Sequence, residues 1–258
     1  GTELLRALRD KGCALCTPDI RPMEERAFFA KELYNPAVAL KINDAIVTND
    51  LDFDEKATIY VITGPNRGGK SVITCAAGQA QVMLQLGMFV PAESAVMSPV
   101  DAIFTHFPSG ADDTIDKGRL GEECDRLREI FDIITPSSLV LMDESFSSTG
   151  AYEASYIAAE VLGALSYVGC RCIFSTHLHQ LAAELDAINE KAAKTGGAPI
   201  DTLVAGMETG QRSFKILRKK PDGKSYARDI AEKYGITYNN IINNFDNRTK
   251  TEKENNNG

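Results

Sequence analysis

Runs of consecutive apolar residues alternate along this chain with longer stretches in which apolar residues recur at helical spacing. The runs are typical of strands buried on both faces of a sheet, and they occupy residues 58–63, 139–142 and 171–175. The helical stretches lie between and after them, at Ala76–Leu86, Leu120–Ile134, Ala151–Tyr167 and from Leu178 onward. This order predicts an α/β fold with a mostly parallel central sheet flanked by helices.

The pattern changes towards both ends of the chain. Residues 1–35 look helical and mixed, and Pro18 and Pro22 break them into pieces. The tail 247–258 is rich in Asn, Lys and Glu, which predicts disorder. After Gly196-Gly197 come two strand-like runs and then two short helices, at Thr202–Met207, Ser213–Leu217, Tyr226–Tyr234 and Thr237–Phe245.

A glycine-rich segment separates the first apolar run from the first helical stretch. It fits the pattern G-x-x-x-x-G-K-[ST] with the residues Gly64, Pro65, Asn66, Arg67, Gly68, Gly69, Lys70 and Ser71. Glycines let backbone N–H groups curl around phosphates, Lys70 supplies positive charge, and the Ser71 hydroxyl can bind Mg²⁺. The bland alternative is a chance glycine-rich turn, but a strand before and a helix after are the context that a phosphate-binding loop requires. The segment therefore predicts binding of ATP and Mg²⁺.

Two other apolar runs end in side chains that suit such a site. The run 139–142 leads into Asp143-Glu144, the Walker B arrangement, in which Asp143 would hold Mg²⁺ through water and Glu144 would orient or deprotonate the attacking water. A helix N-cap pair is the alternative for these two carboxylates. The run from residue 172 delivers His177, and a neutral imidazole there can contact the γ-phosphate, because ligands of open α/β sheets bind at the carboxyl ends of strands. Lys70, Glu144 and His177 are thus the candidate catalytic residues, whereas His106 and His179 are interpreted as surface or structural.

Composition narrows the possible partners and location of the protein. The net charge is −8, and no basic stripe for nucleic acid is present, since Arg218-Lys219-Lys220 is short enough to be a solvated strand end. No apolar run reaches the ~18–20 residues that cross a bilayer, so we expect no membrane association. Cys13 and Cys16 lack a second Cys or His pair for zinc, which favours free, reduced thiols in a cytoplasmic protein.

Several segments, read together between about residue 30 and residue 246, resemble the ATPase domain of the MutS DNA mismatch-repair family. The family's phosphate loop T-G-P-N-x-G-G-K-S matches residues 63–71, its S-L-V-L-M-D-E matches residues 138–144, and its F-A-T-H-x-x-x-L resembles residues 174–181. Further matches are Asn35–Val38 (where the family has H-P-V-V), Phe89–Ala92, Asp101–Thr105, Asp112-Asp113 and Gly223–Tyr226.

The resemblance implies a dimeric ABC-superfamily ATPase in which nucleotide state controls DNA-bound conformations. It also implies that two copies form a homodimer through the ATPase domain. A C-terminal helix-turn-helix is a further implied feature. Nothing in the chain resembles the mismatch-reading, connector, lever or clamp regions of the family. We therefore expect DNA to be contacted mainly by regions absent from this chain.

One departure concerns the loop that, in the family, reaches the partner subunit's γ-phosphate. The family has G-x-S-T-F there, whereas this chain has Lys117–Glu123 without the Ser-Thr pair. Arg119 is the residue able to compensate as a phosphate ligand, while Glu122 and Glu123 would oppose phosphate charge. The loop 145–150 after Glu144 also departs from the family's Gly/Arg-rich version.

We accordingly expect four segments along the chain. They are an N-terminal helical lead-in from the upstream part of the protein (1–35), a P-loop ATPase domain of ABC type (36–220), a helix-turn-helix or dimerisation segment (221–246) and a disordered tail (247–258). Two alternatives remain open. A transporter-type ABC ATPase should carry an L-S-G-G-Q signature, which is absent here, and a nucleotide-binding module that scarcely hydrolyses ATP is compatible with the altered loop.

Overall fold

The computed structural model describes residues 2–108, 118–208, 211–221, 232 and 234–242. The chain forms two compact units, Gly1–Pro221 and Asp222–Gly258. In the second unit, residues 238–242 are helical. The matches at Asp112-Asp113 and Gly223–Tyr226, the predicted tail and most of the predicted helix-turn-helix lie outside the described residues.

The described part of the first unit contains six α-helices and one 3₁₀ helix. The α-helices are α1 (Thr2–Asp10), α2 (Pro36–Lys41), α3 (Lys70–Gln85), α4 (Arg119–Ile133), α5 (Ala151–Val168) and α6 (His179–Ala193), and the 3₁₀ helix is Met23–Glu25. The strands are β1 (Asp19–Ile20), β2 (Phe28–Leu33), β3 (Asn49–Phe53), β4 (Ile59–Thr63), β5 (Ser94–Met97), β6 (Ile103–His106), β7 (Leu139–Asp143), β8 (Arg171–Ser175), β9 (Ile200–Glu208) and β10 (Gln211–Arg218). None of the helices in these described segments has the length and apolar character needed to cross a bilayer.

Six of the strands form one sheet in the order β10-β9-β4-β8-β7-β6. Only the outer pair β9–β10 is antiparallel, and the other four pairings are parallel. The predicted mostly parallel sheet is therefore confirmed. Because β4, β8 and β7 are neighbours and run in one direction, their carboxyl ends meet at the same edge of the sheet.

Alternate residues of the central strands enter two different cores. Tyr60 and Ile62 of β4 belong to a cluster that contains the apolar face of α3, whereas Ile59 and Val61 belong to a cluster built with α4, α5 and α6. The helices therefore cover both faces of the sheet, as continuous apolar strands require. On the first face α3 lies very close to β7, since a Cβ added at Gly78 would be 2.5 Å from Leu141 Cδ1.

A second, four-stranded sheet has the order β1-β5-β2-β3, and it corrects the prediction of a helical lead-in over residues 1–35. Only Thr2–Asp10 of that stretch is α-helical. Strand β2 pairs antiparallel with β3 on one side and with β5 on the other. Phe28 and Ala30 are buried while Phe29 between them is 37% exposed, the period-two pattern of a strand with one buried face. The strand conformation of β2 is therefore fixed by its pairing with β3 and β5, which lie further along the chain.

Candidate functional site

The segment 64–71 forms the tight connection between β4 and the first turn of α3. Gly64 has φ 127° and Gly69 has φ 97°, a region that L side chains rarely adopt. A Cβ at Gly64 would also lie 2.8 Å from the Cβ of Ala205 on β9. The Gly68 N–H donates to the Pro65 carbonyl over 3.1 Å, which closes the turn. The two glycines are thus required by backbone conformation and, at Gly64, by close packing.

Lys70 opens α3 and points back beneath this turn. Its side chain is 4% exposed, and Nζ donates to the carbonyl oxygens of Gly64 (3.1 Å) and Pro65 (3.3 Å). Nζ also lies 3.7 Å from Oε1 of Glu144. The ammonium group is therefore held among oxygen atoms at the mouth of the turn, while Asn66 and Arg67 at the tip are exposed.

Ser71 and Asp143 are brought together from segments 72 positions apart. The Ser71 hydroxyl donates to Oδ1 of Asp143 over 3.0 Å. Burial raises the pKa of Asp143, and the negative charge of Glu144 raises it further, while Ser71 and Lys70 act in the opposite direction. Within the described residues no three His, Cys, Asp or Glu side chains converge as a metal cluster. Two protein oxygens nevertheless suit Mg²⁺, which usually keeps several waters and takes further ligands from substrate phosphates.

Glu144 directly follows β7, and His177 lies two residues after the end of β8. The two strands are neighbours, and their residues Asp143 and Ser175 are paired in register. Glu144 has φ 47°, and its N–H donates to the Ser175 carbonyl over 2.8 Å. The carboxylate of Glu144 contacts Nδ1 of His177 through Oε2 and faces Lys70 through Oε1. One carboxylate thus bridges two of the sequence-predicted residues, a relationship that the sequence did not indicate.

Thr74 is a supporting residue that sequence reasoning missed. Its hydroxyl donates to the Lys70 carbonyl over 3.1 Å and lies 2.5 Å from the Ser175 hydroxyl. Both Thr74 and Ser175 are fully buried. The pair ties the first turn of α3 to the end of β8, and only the three-dimensional pairing of these elements reveals it.

The loop after Glu144 is held by residues that the sequence placed elsewhere. His106 is 1% exposed and lies between Glu123 and Ser145, so its role is structural and the surface reading is excluded. Glu123 was expected to oppose phosphate charge beside Arg119, but it is 6% exposed and accepts the Phe146 N–H over 2.5 Å. The carboxylate of Glu123 points into the protein because it accepts the backbone N–H of Phe146 there.

A mainly apolar pocket of about 310 Å³ adjoins the phosphate-loop segment. Strand β10 passes over one side of it, where Phe214 lies against Gly69. The side chain of Asn49 fixes that strand, because it donates to the Phe214 carbonyl (3.2 Å) and accepts from the Ile216 N–H (2.6 Å). Residues that line the pocket include Val38, Ile46, Val72, Ile73 and Ala76.

The fold and the site define a mixed α/β protein with a glycine-rich loop, a buried lysine and a carboxylate pair at the carboxyl ends of parallel strands. The MutS domain V family matches residues 60–250. The chain belongs to the MutS family, as its sequence motifs predict.

Named relatives agree with that assignment. A DNA mismatch repair protein MutS of Chloroflexus aurantiacus is 32% identical over 82% of this chain and 22% of its own length. The MutS of Lactobacillus delbrueckii subsp. bulgaricus is 35% identical over 86% of this chain and 25% of its own length, and the DNA mismatch repair protein Msh6 of Gallus gallus is 37% identical over 73% and 14%. The chain therefore spans a quarter or less of each of these relatives.

Proposed function

We propose that this chain binds Mg-ATP at the glycine-rich loop and hydrolyses it, as a P-loop ATPase domain of ABC type. The observation that carries the proposal is the convergence of Lys70, the Ser71–Asp143 pair and Glu144 at one edge of the sheet. Each brings the chemistry that one part of the nucleotide needs: positive charge for phosphate, oxygen ligands for the metal, and a carboxylate for water.

The phosphates would lie against the loop and the N-terminus of α3, where free backbone N–H groups and the helix dipole favour anions. The apolar pocket beside Gly69 and Val72 has the size and lining for a flat heterocyclic base. Ser71 and Asp143 would hold Mg²⁺, which when bound neutralises charge on the phosphate oxygens. The nucleotide would therefore run from the pocket, over Gly69, to Lys70.

Glu144 is the proposed general base or water-orienting residue. In the structure its carboxylate is shared between Lys70 and His177. A phosphate bound at Lys70 would replace Glu144 as the charge partner of that lysine. Glu144 would then be available to accept a proton from water. His177 then holds Glu144 from the other side and lies within reach of the terminal phosphate.

We further propose that the site works at a dimer interface and controls DNA-bound states of a longer protein. The support is family membership and the altered segment 117–123, whose counterpart in the family faces a partner subunit's phosphate. In the second unit, Tyr234, Ile236 and Tyr238 are exposed by 62% or more, which suits the proposed dimerisation segment. DNA would be contacted mainly by regions outside this chain, since its net charge is −8.

The test is a pair of measurements on the unmodified chain: Mg-ATP binding by calorimetry and phosphate release in a single turnover, each with Mg²⁺ and with a chelator. Mg²⁺-dependent binding together with release of one phosphate per site supports the proposal. No Mg-ATP binding would overturn it. Binding without phosphate release would instead support a nucleotide-binding interaction module, which Leu120-Gly121-Glu122 in place of the family's Ser-Thr-Phe favours.

A further inference from the structure

A buried polar cluster lies directly behind the residue proposed to activate water. It consists of His106 at the end of β6, Glu123 in the first turns of α4, and the turn Ser145-Phe146 that follows Glu144. All four of these residues are at most 6% exposed. Three chain segments that are remote in sequence therefore meet in one water-excluded place.

Two hydrogen bonds of this cluster hold the Ser145-Phe146 turn, and a third joins His106 to Glu123. Glu123 Oε2 accepts the Phe146 N–H over 2.5 Å, and His106 Nδ1 lies 2.7 Å from the Ser145 hydroxyl. His106 Nε2 lies 3.1 Å from the Glu123 carbonyl oxygen. Since that carbonyl can only accept, Nε2 carries the proton, and Nδ1 accepts from the Ser145 hydroxyl.

The turn needs such support because its backbone is unusual. Glu144 has φ 47° and Phe146 has φ 65°, a left-handed conformation that few non-glycine residues adopt. Residues held in this way persist when their surroundings over-determine them. The Glu144 N–H is fixed to the Ser175 carbonyl on one side, and Glu123 with His106 fixes the turn on the other.

We propose that Glu123 and His106 are positioning residues for Glu144: they hold the Ser145-Phe146 turn so that the Glu144 carboxylate faces the γ-phosphate of bound ATP. The inference rests on the proposed ATPase function. It also gives the N-terminal end of α4 a route to the reaction. Arg119 Nε lies 4.0 Å from Glu123 Oε1, so a movement of the first turn of α4 reaches Glu144 through Glu123 and Phe146.

The test compares E123A and E123Q with E129A, a matched control that removes a carboxylate from an exposed position of the same helix. In E123A the single-turnover rate should fall about 10–100-fold, because small displacements of a reacting group are costly, while the Kd for Mg-ATP stays within about threefold. E123Q retains an oxygen that accepts the Phe146 N–H, so its rate should stay within about threefold of the unmodified chain. Amide exchange over residues 145–148 should accelerate in E123A and not in E123Q or E129A.

S145A tests the other half of the cluster with a nearly isosteric change that should fold even if E123A does not. It removes the contact with His106 and should lower the rate severalfold at unchanged Kd. If the unmodified chain is active and both E123A and S145A match E129A in rate, the positioning role is overturned. If the unmodified chain binds and hydrolyses no Mg-ATP, the proposed function itself fails, and the exchange data then show only whether the turn is held as described.

Discussion

The Ser71 hydroxyl donates a 3.0 Å hydrogen bond to Oδ1 of Asp143, so the first turn of α3 is joined to the end of β7 at one point. Both oxygens belong to the types that Mg²⁺ prefers. Their contact places them side by side before any metal binds. The Ser71 hydroxyl would then be available to bind Mg²⁺, and Asp143 would hold the ion through water.

Substitution of Ser71 should therefore change the metal requirement more than the fold. We expect S71A to raise the Mg²⁺ concentration needed for half-maximal ATP binding by about 10-fold or more, since even groups that only support metal ligands contribute 10–100-fold to affinity. S71T keeps the hydroxyl and should restore the requirement. A titration of Mg²⁺ at fixed ATP measures this, and equal midpoints for S71A and S71T would remove Ser71 from the metal site.

Lys70 should be needed for both affinity and local stability. K70A should abolish tight Mg-ATP binding, because the central positive charge is lost. The same change removes a buried charged donor from the Gly64 and Pro65 carbonyls, and we expect the free energy of unfolding to fall by about 1–3 kcal/mol. The control for calorimetry and denaturant unfolding is K56A, which removes an exposed lysine just before β4. Micromolar ATP affinity in folded K70A would contradict the phosphate-loop assignment.

Glu144 should matter for hydrolysis and not for binding. E144Q should slow single-turnover hydrolysis by about 10²-fold or more, since the base is lost. Its affinity for ATP should equal or exceed that of the unmodified chain, because Lys70 no longer shares its charge with a carboxylate 3.7 Å away. E129Q, which neutralises an exposed carboxylate on α4, is the control. An unchanged rate in E144Q would show that another group activates water.

Turnover should depend on protein concentration if the site is completed by a second copy. We expect slow hydrolysis whose specific activity rises across a hundredfold concentration range, in parallel with ATP-induced dimerisation seen by sedimentation. Preorganised donors from the partner contribute about 10²–10³ in rate. R119A should lower turnover and barely change ATP affinity at low concentration. Brisk turnover from a protein that stays monomeric would exclude a shared site.

His106 should make stability depend on pH. Burial lowers the pKa of His106 from its ordinary value of 6.5; the positive charge of Arg126 acts in the same direction, and Glu123 acts against it. The unfolded chain then binds the proton more readily than the folded chain. Stability should therefore decline as pH falls below about 6.5, by at most about 1.4 kcal/mol per pH unit from this group. Denaturant unfolding from pH 7.5 to 5.5 should show a shallower decline in H106N; identical slopes would argue against it.

The central sheet and the phosphate-loop segment could be predicted from sequence because their signals are local. An apolar run, a glycine at φ 127° and a helix follow one another within a few residues around Gly64. Strand β2 carried no comparable signal: it is six residues long, its pairing with β3 is irregular after Ala30, and its other partner β5 lies about sixty positions away. Its conformation is fixed by tertiary pairing.

The contacts around Glu144 could not be predicted from the sequence for a related reason. Glu123 was expected to oppose phosphate charge, because carboxylates are rarely buried unless they are paired. The hydrogen-bond partner of Glu123 is a backbone N–H. The amino-acid sequence carries no signal for which backbone N–H a side chain will bind. The contact between Glu144 and His177 likewise depends on the register of β7 and β8.

The placement of the site on three parallel strands has a kinetic consequence. Lys70, Glu144 and His177 span more than a hundred positions of the chain and meet only when β4, β8 and β7 have paired. Pairings of such high sequence separation form slowly, because long loops must close first. During refolding, helices and hairpins should therefore appear well before any affinity for nucleotide. Recovery of ATP binding would mark the completion of the sheet, and ATP could stabilise the folded chain but could not guide the earlier steps of its formation.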